Sequence, residues 1–78
     1  MRTQRYAFQA LQDLLECRIA DSGHRGVARP ELLRLAQRQG FTLRGARAAL
    51  HQLSMFGRVE HVTDRGEIRV RIAQGGAV

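Results

Sequence analysis

The spacing of apolar residues changes once along this chain, from a helical period to the alternation of a β-strand. Before Gly57, apolar residues recur three and four positions apart in three separate segments, which predicts three amphipathic helices. After Gly57, the segment Glu67–Ile72 alternates strictly, and the preceding Asp64-Arg65-Gly66 is typical of a hairpin turn. The sequence therefore predicts an α+β fold in which three helices are followed by a two-stranded antiparallel hairpin.

Cap and turn residues set the expected bounds of these elements. We expect a first helix over Gln4–Ala20, a bridging strand at Val27–Ala28, a second helix over Pro30–Gln39, a third helix from the N-cap Thr42 to about Phe56, and strands over Arg58–Thr63 and Glu67–Ile72. Val59 and Val62 have opposite parity, which predicts a bulge or a ragged start in the first of these two strands. We expect one domain over residues 1–72 and a disordered tail over residues 73–78, which has no periodicity.

The expected core follows from the helical spacing. The apolar face of the first helix comprises Ala7, Phe8, Leu11, Leu15 and Ile19, with Leu14 beside it and Cys17 as a small core residue. The apolar face of the third helix comprises Ala46, Ala49, Leu50, Leu53 and Phe56.

Composition limits the classes of function. The chain has 78 residues, 13 basic residues that are all arginine, 7 acidic residues and a net charge of +6, which indicates a polyanionic or acidic partner. The single cysteine excludes an internal disulfide, and no apolar run is long enough to cross a membrane, so we expect a cytoplasmic protein. The three histidines and Cys17 lack the spacing of a catalytic or metal site, so we expect neither an enzyme nor a cofactor, and no small-molecule ligand is evident.

Two segments carry a family resemblance that extends over residues 4–72. Glu31-Leu32-Leu33-Arg34-Leu35-Ala36 followed by Gly40-Phe41-Thr42 resembles the "E-L-A … G-V-S" run of bacterial winged-helix regulators. The segment from Ala49 to Val59 resembles their "L-x-x-L-x-x-x-G-x-V" passage from recognition helix to wing. The chain thus resembles the winged helix-turn-helix superfamily, which includes MarR-like and GntR-like regulators and small stand-alone bacterial or phage proteins. This resemblance implies binding to double-stranded DNA and a role in transcription regulation.

The resemblance places the third helix in the major groove and the hairpin on the DNA backbone. On that helix a polar stripe runs along one side, and its segment carries no acidic residue. Arginine reads guanine and glutamine reads adenine, while a helix N-terminus can hold a phosphate. The expected DNA-binding residues are Thr42, Arg44, Arg47, His51, Gln52 and Ser54 on the helix, with Arg58, Arg65 and Arg69 on the wing. For Arg69 and Arg71, protection of an exposed strand is an equal alternative to DNA contact.

Two other functions stay open. The chain could be a winged-helix adaptor or inhibitor, such as a phage or plasmid accessory factor, that binds an acidic protein surface; the apolar-poor stripe on the third helix argues against it. RNA binding is weaker, because the third helix and the hairpin lack stacking aromatics. Tight DNA binding by a module this small would need a homodimer or a second protein. A small patch of Tyr6, Leu14 and Cys17 on the first helix is a candidate contact for it.

Overall fold

The computed structural model describes the backbone of residues 2–73 and the side chains of residues 7–73. The elements, in chain order, are α1 (Arg2–Asp21), a single 3-10 turn (Gly23–Arg25), β1 (Val27–Ala28), α2 (Arg29–Arg38), α3 (Leu43–Met55), β2 (Val59–Asp64) and β3 (Glu67–Ile72). The three predicted helices and both hairpin strands are confirmed, with bounds that differ by one or two residues. Within the described range, no helix is both long and apolar enough to cross a membrane.

The turn between α2 and α3 has the local interactions that the sequence predicts. Pro30 lies in the first turn of α2, where its missing N–H leaves no intrahelical bond unmade. Thr42 is the N-cap of α3, and its side chain accepts a hydrogen bond of 3.0 Å from the Gly45 N–H. The Phe41 N–H donates to the Ala36 carbonyl at 3.0 Å, which holds the connection between the two helices short.

The sheet has three strands, because the bridging strand predicted at Val27–Ala28 joins the predicted two-stranded hairpin. Its order is β1-β3-β2, and both pairings are antiparallel. Val27 and Ala28 pair with Val70 and Arg69, and the 3-10 turn before them also contacts β3. As a result β3 is the central strand, and edge protection does not account for Arg69 and Arg71.

The hairpin between β2 and β3 is regular. Pairing runs without interruption from Val59↔Ile72 to Asp64↔Glu67, so the predicted bulge is wrong. Val59 points to the helices and is buried, whereas Val62 points to the opposite face, which explains their parity. The turn itself has two residues, Arg65 and Gly66, with φ of 54° and 79°. Two positive φ values are typical of the type I′ turn, whose twist matches the flanking strands.

The core lies between the three helices and one face of the sheet. Every buried side chain described is apolar: Leu11, Leu15, Ile19, Val27, Leu32, Ala36, Ala46, Ala49, Leu50, Leu53, Val59 and Val70. Phe8, Leu33, Phe41 and Ile72 pack against this core from its edges. The helical faces predicted for α1 and α3 are therefore largely correct.

Three of the predicted core residues, Ala7, Cys17 and Phe56, are exposed. Cys17 lies two residues from Leu15 and Ile19, which turns it by about 200° away from the buried line of α1. Phe56 is 71% exposed, because the part of α1 that it faces carries Gln9, Gln12, Asp13 and Glu16.

Ala73, the first residue of the predicted tail, donates its N–H to the Arg58 carbonyl at 3.1 Å. Residues 74–78 of that tail lie outside the described part.

Gly26 joins the 3-10 turn to β1 against the central strand. Its φ and ψ are 71° and −172°, a region open only to glycine. A Cβ at this position would lie 2.5 Å from the Val70 carbonyl oxygen. The Arg69 side chain closes the same corner by donating to the carbonyls of Arg25 and Gly26, at 2.8 and 2.9 Å.

Candidate nucleic-acid interface

The solvent-facing side of α3 carries most of the predicted DNA-binding residues. Arg44, Arg47 and His51 are exposed, but Ser54 is half-buried at the flank of the helix. The line through the middle of this face instead continues through Ala48 and Met55, at spacings of four, three and four from Arg44. Because Ala48 and Met55 are apolar, the predicted polar stripe did not include them. Both are apolar surfaces of a kind that can contact a thymine methyl group.

Two predicted contact residues on α3 already make hydrogen bonds inside the protein. Gln52 accepts a hydrogen bond of 3.2 Å from the Gln12 amide nitrogen of α1. Thr42 uses its hydroxyl oxygen to cap α3, which leaves the hydroxyl proton to donate outward. Gln52 therefore lies at the α1 side of the face, and Thr42 lies at its N-terminal end.

Four arginine–glutamate ion pairs among the described residues involve all four glutamates. They are Arg18–Glu31 at 2.9 Å, Arg58–Glu16 at 3.0 Å, Arg69–Glu67 at 2.6 Å and Arg71–Glu60 at 2.5 Å. The first ties α1 to α2, the second ties α1 to the start of β2, the third lies within β3, and the fourth joins β3 to β2.

Two of these ion pairs involve arginines predicted to contact DNA. The Arg69 guanidinium is 23% exposed and donates to Glu67 and to two backbone carbonyls, so it holds the sheet corner together. The Arg58 side chain is 59% exposed, and its pair with Glu16 is worth at most about 1 kcal/mol. Arg58 can therefore leave Glu16 for another anion with little loss of stability, whereas Arg69 cannot leave its three acceptors as easily.

The other seven arginines with described side chains have no carboxylate partner among the described residues. They lie in the turn before β1, on α2, on α3 and at the hairpin tip: Arg25, Arg29, Arg34, Arg38, Arg44, Arg47 and Arg65. All are exposed apart from Arg29, which is half-buried at the start of α2. The unpaired positive charge is thereby concentrated on α2 and α3. At the hairpin tip, Arg65 lines a cleft together with the carboxylates of Asp64 and Glu67, which offset its charge.

His61, which is not among the predicted site residues, is an exposed residue of β2. The pKa of His61 on β2 is lowered from 6.5, first by partial burial of the ring and then by the charges of Arg29 and His51. His61 pairs with Val70 and shares the helix-facing side of β2 with Val59 and Thr63. The regular alternation of side chains along β2 places His61 on this side, whereas the bulge expected in that strand would have interrupted the alternation.

The described residues hold no group of three His, Cys, Asp or Glu side chains that could bind a metal ion. The clefts are shallow and lie at the surface; the one between the start of α2 and the hairpin tip has a volume of about 420 Å³. No protein-family model, curated protein or solved structure matches the chain.

Proposed function

We propose that this chain is a winged helix-turn-helix protein that binds double-stranded DNA and acts as a transcriptional regulator. In this proposal α3 enters the major groove, and the hairpin of β2 and β3 is the wing that contacts the backbone. The order of helices and the sheet order β1-β3-β2 are compatible with such a domain.

The observation that carries the proposal is the contrast between arginines that pair with a glutamate and arginines that do not. Glutamates pair with the described arginine of α1 and with the arginines at the start of β2 and on β3, whereas the arginines of α2 and α3 have no carboxylate partner among the described residues. An uncompensated positive surface of this kind is the electrostatic footprint of phosphate binding, because each phosphate that is neutralised releases a condensed counterion.

Roles within this surface follow from position. Arg44 and Arg47 lie in the first turns of α3, the part of a recognition helix that reaches base edges, and each can bond bidentately to guanine. Ala48 and Met55 supply apolar contacts on the same face. Arg65, held at positive φ at the tip of the hairpin, extends toward the backbone or the minor groove.

The test is fluorescence anisotropy with a mixed-sequence DNA duplex over a salt series. We expect the wild type to bind with steep salt dependence. The double variant Arg44→Ala/Arg47→Ala should bind at least about tenfold more weakly, since an arginine that bonds to a base is worth about 1–3 kcal/mol. Its salt slope should fall by about 0.9 for each phosphate that the variant no longer neutralises.

A matched control is the double variant Arg18→Gln/Arg71→Gln. It removes the same charge, but from residues that pair with glutamates on α2 and β2. We expect its affinity to stay within about threefold of the wild type, since exposed ion pairs contribute little. An equal decrease in affinity in the two double variants would show that net charge alone drives binding, and no binding at low salt by folded protein would refute the proposal.

A second candidate function is an adaptor that binds an acidic protein surface. Met55 and Phe56 are both 71% exposed, and they supply the apolar anchor that the polar stripe of the third helix lacks. Met55→Ser/Phe56→Ser distinguishes the two functions. The change should leave nonspecific DNA affinity unaltered if that binding depends on the arginines, and it should abolish partner capture if the chain is an adaptor.

A further inference from the structure

We propose that the groove between α1 and the end of α3 is a contact surface for a second copy of this chain, with Phe56 as its apolar anchor. The two copies are related by a twofold axis, so that each contact occurs twice. This inference goes beyond the proposed function and does not depend on it, because the groove does not include Arg44 or Arg47.

Phe56 is an exposed aromatic residue on the wall of this groove. It directly follows α3, and 71% of its surface is accessible to solvent. The groove has a volume of about 170 Å³ and also contains the edge of the buried Leu53, while its opposite wall is formed by polar residues of α1: Gln9, Gln12, Asp13 and Glu16. A large aromatic side chain next to a pocket is the usual energetic centre of a protein interface.

The charged groups of the groove have unused binding capacity of both signs. The Asp13 carboxylate accepts a hydrogen bond of 3.3 Å from the Gln9 amide and has no cationic partner among the described residues. Arg58 donates from its Nε to Glu16 at 3.0 Å, and its two terminal nitrogens have no acceptor within the described part of the chain. Asp13 therefore lacks a cation, and the exposed Arg58 can bind a second carboxylate.

A second copy of the chain satisfies both groups at once. A partner for this groove must present an apolar anchor with a cation close to it, and Phe56 and Arg58 are two residues apart. In a twofold contact each Phe56 packs into the groove of the other copy, and each Arg58 reaches Asp13 of the other copy. Such an isologous interface requires that anchor and groove, cation and anion, belong to one patch, as they do here.

The size of the patch predicts a weak dimer. A stable interface involves about 20–30 residues on each side, whereas seven described residues line this groove. We therefore expect a dissociation constant between about 1 µM and about 1 mM. A contact of this strength is sufficient for two copies held on one larger molecule, because their effective concentration there is in the range of about 1 mM.

The contact leaves the beginning of α3 uncovered. Arg44 precedes Phe56 by twelve residues, which corresponds to about 18 Å along the helix axis. A dimer formed through Phe56 is therefore compatible with the proposed DNA binding. It also supplies the second module that tight DNA binding by so small a domain requires.

Sedimentation equilibrium of the full chain from about 10 µM to about 1 mM measures the self-association. We expect the apparent mass to rise from that of a monomer toward that of a dimer. Phe56→Ser should weaken association at least about thirtyfold, as expected for the central anchor of an interface. Ile68→Ser is the matched control, because Ile68 is also exposed but lies in the cleft between the start of α2 and the hairpin tip. Circular dichroism checks that each variant is folded.

A charge exchange tests the pairing of Arg58 with Asp13. Asp13→Arg and Arg58→Asp each place like charges opposite one another in the dimer, so each variant alone should associate at least about tenfold more weakly. An equimolar mixture of the two variants should associate about as well as the wild type, because both contacts then join opposite charges.

A wild type that stays monomeric at about 1 mM, or association that Phe56→Ser does not weaken, would overturn the inference. Equal weakening by Ile68→Ser would mean nonspecific association of apolar surfaces, and a mixture of the charge variants that stays monomeric would overturn the twofold arrangement. Arg44→Ala/Arg47→Ala should dimerise like the wild type. Because sedimentation is measured without DNA, failure of the dimer and failure of the proposed function are distinguishable.

Discussion

Gly26→Ala is the substitution for which the structure gives the sharpest stability prediction. Gly26 combines a φ of 71° with an extended ψ of −172°, which residues with a Cβ do not adopt without strain. The added methyl group would lie 2.5 Å from the carbonyl oxygen of Val70 and 3.0 Å from the Cβ of Arg71. Both neighbours belong to the central strand, so neither can move aside without disturbing the sheet.

The expected decrease in stability has two parts. Backbone strain at such a conformation costs about 1–3 kcal/mol, and forcing a methyl group into a filled space costs about 1–3 kcal/mol more. A domain of 78 residues has a total unfolding free energy of about 4–12 kcal/mol. Gly26→Ala should therefore lower the unfolding free energy by about 2–6 kcal/mol, which is a large fraction of the total.

Urea denaturation followed by circular dichroism of the helices measures this decrease. Gly23→Ala is the matched control, because Gly23 also has a positive φ, 66°, but nothing lies within 4 Å of its Cβ position. The control should be destabilised by only about 1–2 kcal/mol, the ordinary cost of a left-handed residue. If the two variants are destabilised equally, the contact with Val70 is not the cause and the reasoning is wrong.

Four further outcomes are expected. Leu50→Ala should lower the unfolding free energy by about 2–5 kcal/mol in the same urea assay, because the side chain is 1% exposed and its removal leaves a cavity. Thr42→Ala should lower it by about 0.5–2 kcal/mol through removal of the cap on α3. The pKa of His61 is lower in the folded chain than its ordinary 6.5, so the unfolded chain binds the proton more readily. The unfolding free energy should therefore decline as the pH falls through 6.5. His61→Gln should reduce that decline in urea curves recorded at several pH values. Cys17 should react with a maleimide in the folded protein as fast as in the unfolded protein, because it is exposed.

The helices were predictable because their signals are local. Periodicity within α1 and α3 identified the buried line, and the N-cap Thr42 fixed the start of α3. The errors were at positions where a neighbouring element decides the environment. Phe56 has helical spacing but faces a polar part of α1. The sequence predicted the short strand at Val27–Ala28 but not its partner, which is β3.

In the candidate site, too, local features were predictable and tertiary contacts were not. The polar stripe and the scarcity of acids around α3 are visible in the sequence, so Arg44, Arg47 and His51 were found. Tertiary contacts are not visible there: the ion-pair partner of Arg58, Glu16, is 42 residues away in sequence, and Arg69 donates to the carbonyl of Arg25, 44 residues away. His61 was missed because its environment depends on the strand register and on two helices at once.

The central place of β3 determines the order in which this protein can assemble. β1 and β2 do not pair with each other, and each takes its only described strand partner from β3, which follows both in sequence. During synthesis, helical turns can form as soon as their residues are available, but no part of the sheet can form before β3 has been made. The row of Val27, Val70 and His61 across the three strands therefore forms only after Val70 has been made.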